Sequence, residues 1–161
     1  MTRTLIAGFG NALRGDDGFG VEVIRRLQDQ PLGPDVHLLD VGTGGMHLAH
    51  ELLSRYDRAV IVDAMERGQC PGTLYVLEVK DVEPESRIDT HLALPARALG
   101  VAKALGALPA TVFMVGCEPA IVDELTTELS PAVSSAVDDA VSVVLRLAAP
   151  QNGEISNQMT G

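Results

Sequence analysis

The sequence predicts a single three-layer α/β domain, a mostly parallel five-stranded sheet with helices on both faces. Five short apolar runs carry the prediction: Thr4–Phe9, Val36–Val41, Ala59–Val62, Thr73–Val79 and Thr111–Gly116. They are rich in β-branched and aliphatic residues and bounded by Gly, Pro or Asp, as buried strands are. Helical periodicity between most of them implies right-handed crossovers and a sheet covered on both sides. The 161 residues suit one domain, and no repeat, low-complexity tract or linker divides them.

The elements follow in order. After the first run, Val21, Ile24 and Leu27 fall at helical spacing, and after the second Leu48, Leu52 and Leu53 do. A third stripe, Leu94, Ala98, Val101, Ala102 and Leu105, lies between the fourth and fifth runs. Pro95 belongs near the start of that helix, because an interior proline loses a hydrogen bond and clashes with the preceding turn. The last helix has Ser130 as its N-cap, Pro131 at its first position, and Val133, Val137, Val141, Val144 and Leu145 as its apolar face. These elements place the domain at residues 1–150, with 151–161 as a flexible polar tail.

Composition narrows the function. Hydrophobic residues make up 46% and aromatics only 3%, with no Trp, so aliphatic side chains must fill the core. A formal charge of -10, with basic residues scattered, argues against nucleic acid and anionic lipid as partners. Neither Cys70 nor Cys117 lies in a CxxC, and both read as reduced thiols. The first residues lack a signal-peptide pattern, and no apolar run approaches the length of a membrane span. The expected setting is cytoplasmic.

In open α/β sheets, ligands gather beyond the carboxyl ends of the strands where the winding reverses. If the strand order begins 2-1-3, the loops Gly10–Gly20 and Asp63–Gly72 meet there. The first contains Asp16-Asp17 just before a helix, where one acid could cap the helix and complement its dipole. Asp63 ends the third run, and Asp40 ends the second. His91 stands at the entrance to the helix after the fourth run. Asp17, Asp63 and His91 together make an N/O ligand set suited to a divalent transition metal. His37 lies within a strand, where packing is the simpler role. His47, His50 and Glu51 could bind metal, but a solvated helix face explains them more simply. There is no HExxH, no GxSxG and no cysteine-nucleophile motif, and Cys117 reads as part of the site's wall.

With these residues in place, the chain resembles the hydrogenase maturation proteases. The resemblance runs from Leu5 to about Leu147. It rests on Gly8-Phe9-Gly10-Asn11, Asp16-Asp17-Gly18-Phe19-Gly20-Val21, Leu39-Asp40-Val41-Gly42-Thr43 and Ile61-Val62-Asp63-Ala64. Pro71-Gly72-Thr73, Thr90-His91, Gly116-Cys117-Glu118-Pro119 and Leu129-Ser130-Pro131 complete it. It implies an endopeptidase that removes the C-terminal extension of a nickel-iron hydrogenase large-subunit precursor after nickel insertion. The substrate's nickel would be the recognition element, contacted by Asp17, Asp63 and His91, with Asp40 supporting substrate recognition. Family members carry Glu or Asp at the first ligand position, and Asp16 is a possible substitute for Asp17.

Two other readings compete. A dinucleotide-binding module would use the Gly-rich loop and Asp40, but the third glycine of GxGxxG is missing and Asp16-Asp17 would repel a pyrophosphate. A non-catalytic nickel-checking chaperone would grip the same precursor with the same groups. Release of the C-terminal peptide separates it from a protease.

Overall fold

The computed structural model describes residues 2–82 and 94–149. It contains five strands, β1 (Thr4–Phe9), β2 (Val36–Gly42), β3 (Arg58–Ala64), β4 (Leu74–Glu78) and β5 (Thr111–Cys117). The helices are α1 (Phe19–Leu27), α2 (Gly45–Leu52), α3 (Leu94–Ala104) and α4 (Pro131–Ala148), with a 3-10 turn at Gly15–Gly18. The single sheet has the order β2-β1-β3-β5-β4. The three-layer α/β expectation and the 2-1-3 start are therefore both met.

Four strands are parallel, and β4 runs antiparallel to β5 at the sheet edge. The connection from β3 to β4 explains the exception. It spans residues 65–73 and contains no helix, whereas a parallel crossover needs a dozen or more residues.

Alternation along the strands divides the core in two. Ile6, Val60, Val62 and Val115 face α1 and α4, while Leu5, Ala7, Ala59, Ile61 and Val112 face α2 and α3. β1 and the first five residues of β3 are buried on both faces, which is why they read as unbroken apolar runs. Helix faces were less legible. Phe19, Val23, Ile24 and Leu27 form the buried face of α1, whereas Val21 is half-exposed. Leu53 and Leu105 lie just past their helices and are exposed. Pro95 stands in the first turn of α3, as its ring requires. Among the described residues, no helix is long and apolar enough to cross a membrane. The 151–161 tail lies outside the described residues.

Candidate active site

The carboxyl ends of β1 and β3 lie side by side, in register from Thr4 opposite Arg58 to Gly8 opposite Val62. The loop after β1 is compressed onto itself. Gly10 has φ of 130°, and a Cβ there would fall 1.8 Å from the Asp17 carbonyl oxygen, so no side chain fits. Asn11 Oδ1 accepts from the Leu13 N–H at 2.9 Å, the side-chain turn expected of Asn at that place. The Asn11 N–H donates to Asp17 Oδ2 at 2.9 Å, which fixes the half-buried Asp17 carboxylate against its own loop.

The two adjacent acids have separate roles. Asp16 is fully buried. Its Oδ2 accepts from the N–H groups of Ala120 and Ile121 and from the Ser130 hydroxyl, each at 2.8 Å, and its Oδ1 accepts from the Ser130 N–H at 2.7 Å. Burial raises the proton affinity of Asp16, but these four donors outweigh it and hold the carboxyl below its ordinary pKa. With its oxygens occupied inside the fold, Asp16 joins the β1 loop to the segment between β5 and α4. It does not substitute for Asp17. Ser130 does occupy the N-cap position of α4, with Pro131 next, but its side chain makes no capping bond because it serves Asp16.

Asp17 lines an open cleft of about 310 Å³ with Arg14, Ala64, Glu66, Pro119, Val122 and Asp123. Asp63, the residue before Ala64, is half-buried near the end of β3. Burial first, and then the charge of Asp17, push its carboxyl up to about 7, against a hydrogen bond from Ala64 that lowers it. Near neutral pH Asp63 can thus give or take a proton readily, a property suited to acid–base chemistry.

Asp40 is exposed and stands on the other side of the β1 loop. It lines a second recess with Gly10, Asn11, Ala12, Val21, Gly42 and Thr43. The β1–β2 register shifts between Gly8 and Phe9, so Asp40 opposes Gly8 and Gly42 opposes Phe9. Such an irregularity at a strand end re-aims the side chains beside it. His91 lies outside the described residues, as do Glu83, Glu85 and Arg87. Asp17 and Asp63 supply two oxygen donors. Among the described residues, no group of three or more His, Cys, Asp or Glu could hold a metal ion.

The remaining candidates take ordinary places. His37 is exposed, with its ring edge-on to Tyr56 at 5.7 Å. His47 and His50 are exposed on α2, and Glu51 accepts from the Tyr56 hydroxyl at 2.7 Å. Cys117 is corrected from site wall to core: it is fully buried in the layer under α1 and α4. Burial pushes its thiol up to about 11, which leaves no thiolate for nucleophilic attack at neutral pH. Sequence reading gave no role to Tyr75, and quoted Glu118 only within the Gly116-Cys117-Glu118-Pro119 stretch, yet their side chains meet beneath the loop after β3.

Comparison with known proteins gives one consistent result. The family model described as hydrogenase maturation protease matches residues 21–147. The chain is 34% identical to the hydrogenase expression/formation protein HoxM of Cupriavidus necator, over 83% of this chain and 68% of that protein. Among solved structures, the hydrogenase maturating endopeptidase HybD of E. coli superposes with a TM-score of 0.78 at 30% identity, covering 89% of this chain and 90% of that one. The hydrogenase 2 maturation peptidase of a Thaumarchaeota archaeon does so with a TM-score of 0.71 at 34% identity, over 89% and 96%.

Proposed function

The chain belongs to the hydrogenase maturation protease family and is a peptidase of that family, and from that premise we propose that it removes the C-terminal extension of a nickel-iron hydrogenase large-subunit precursor after nickel insertion. The observation that carries the reading is Asp17 in the loop after β1 beside Asp63 at the carboxyl end of β3, with Asp63 titrating near neutrality. Hydrolysis of a peptide bond needs a group that takes a proton from water and one that returns a proton to the departing amine. Asp63, with its raised pKa, can exchange that proton, and Asp17 stands beside it in the same loop cluster.

In this reading nickel arrives with the precursor, and Asp17, Asp63 and His91 contact it. Two carboxylates and an imidazole suit a divalent ion of that kind. Nickel held in the substrate would bring the scissile bond to the carboxylates and polarise a water there. Asp40, in the recess across the β1 loop, supports recognition of the substrate. The reading sets the reaction in the cytoplasm, where the free thiols Cys70 and Cys117 stay reduced. Direct hydrolysis by the carboxylate pair, without nickel in the chemical step, is a second account, favoured by the raised pKa of Asp63 beside Asp17.

The test is a cleavage assay on nickel-loaded and nickel-free precursor, read by mass, with wild type beside Asp17→Asn, Asp63→Asn and His91→Ala. Expected is release of the C-terminal peptide from nickel-loaded precursor by wild type only. Cleavage of both precursors would remove nickel from recognition and favour the carboxylate account. Binding without any release would replace the peptidase with a chaperone.

A further inference from the structure

Residues 65–73 leave Asp63 without forming helix or strand, yet they are tied down along their length, and most of the ties converge on Glu118. This residue directly follows β5 and is 6% exposed. Its Oε1 accepts from the N–H of Arg67 at 2.8 Å, from the N–H of Gln69 at 3.2 Å and from the Tyr75 hydroxyl. The backbone of Glu118 closes the same loop. Its N–H donates to the Thr73 carbonyl and its own carbonyl accepts from the Gly72 N–H, both at 2.8 Å. The Arg67 guanidinium lies 5.7 Å from the Tyr75 ring centroid. One residue earlier, the Cys117 carbonyl accepts from the Met65 N–H at 2.9 Å. One residue earlier again, Gly116 pairs with Asp63 across the β3–β5 ladder.

The end of β5 is therefore a template for the chain that follows Asp63. Glu66, which lines the cleft with Asp17 and Ala64, sits between Met65 and Arg67, both of them tied to that template. One carboxylate oxygen that gathers three donors is a charge-assisted focus, about twice as strong per bond as a neutral acceptor. Nothing else in the loop offers a comparable anchor among the described contacts.

We propose that Glu118 is a positioning residue for peptide hydrolysis: its carboxylate holds residues 67–69 in the turn that follows Asp63 and presents Glu66 to the cleft lined by Asp17. The inference rests on the peptidase reading for its catalytic consequence, but its structural half stands alone. A glutamine can still accept from the Arg67 and Gln69 amides, at lower strength. An alanine leaves both amides without their partner and frees the loop.

The test combines amide hydrogen exchange on the free protein with steady-state cleavage of nickel-loaded precursor. Glu118→Ala is expected to lose at least about tenfold protection at Arg67 and Gln69. Its kcat should fall about a hundredfold, as a displacement near 1 Å can cause, with KM within about threefold of wild type. Glu118→Gln should recover most of both. Val137→Ala, buried in the core far from this loop in sequence, supplies the control for general destabilisation and should cut at close to the wild-type rate. Unchanged protection in Glu118→Ala overturns the anchoring, and lost protection with wild-type kcat overturns the positioning role. An equal loss of kcat in Val137→Ala would also overturn it, as an effect of stability alone. If Glu118→Ala does not fold, Tyr75→Phe decides: a partial loss of protection with a several-fold lower kcat supports the proposal, and no change in either refutes it. A wild type that binds the precursor without cutting it sinks the peptidase reading, while the exchange result still judges the anchor.

Discussion

At the residue scale, burial and the neighbouring Asp17 set Asp63 apart from an ordinary aspartate. An ordinary aspartate titrates near 4, and burial beside Asp17 moves Asp63 to about 7. Ionising it in the folded protein is therefore unfavourable, and above that pH the two carboxylates repel each other. Asp63→Asn removes the charge while keeping the shape. The variant is expected to lose cleavage activity and yet, at pH 8, to melt about 2–4 °C above wild type, a gain of roughly 1 kcal/mol in a chain of this size. Melting curves at pH 8 and pH 5 check this, since the gain should shrink at the lower pH, where wild-type Asp63 is already protonated. A variant that melts lower than wild type at both values would show that Asp63 stabilises the fold rather than straining it.

At the scale of elements, α4 ties the site to the core. Its buried residues Val133, Ala136, Val137, Ala140, Val141 and Val144 recur at three- and four-residue intervals and pack against α1 and the sheet. Ser130, at its start, donates twice to Asp16, so the β1 loop is braced by the helix that covers the same face. Shortening a fully buried valine loses transfer energy and leaves a cavity. Val137→Ala is expected to cost about 2 kcal/mol and about 5 °C in Tm, with kcat near the wild-type value. Thermal unfolding beside the cleavage assay checks this separation of packing from chemistry. The sequence showed the α4 stripe because its period is local. It could not show the second duty of Ser130, whose partner lies 114 residues away.

At the scale of the molecule, two groups of carboxylates pull the pH dependence of stability in opposite directions. Asp16, Glu22 and Glu118 are held below their ordinary pKa by hydrogen bonds. Their contributions are present above the unfolded pKa and fade as pH falls through the depressed folded values. Asp63 is raised, so the folded state keeps a proton that the unfolded state has lost between about 4 and 7, and its contribution declines as pH rises through that window. Stability is expected to pass through a maximum between these limbs. Asp16→Asn should lower the plateau by about 2–3 kcal/mol, since a neutral amide with one acceptor oxygen must meet three backbone N–H donors, and should flatten the acid limb. Urea unfolding from pH 3 to pH 9 checks it, and an unaltered acid limb would assign that limb to other groups.

The sequence by itself determined the α/β class and the five strands, and it led to the expectation that Asp17, Asp63 and Asp40 stand at one sheet edge if the winding begins 2-1-3. Those features follow from hydrophobic period and from crossover geometry, both local or topological rules. Only the tertiary structure decided which of two adjacent acids faces the cleft. Asp16 and Asp17 are equivalent in sequence and differ through partners at Ala120, Ile121 and Ser130 that no local pattern announces. The same holds for the rise at Asp63, the retreat of Cys117 into the core and the anchoring by Glu118. Each depends on burial and on long-range hydrogen bonds, and these exist only once β1, β3 and β5 have been brought together.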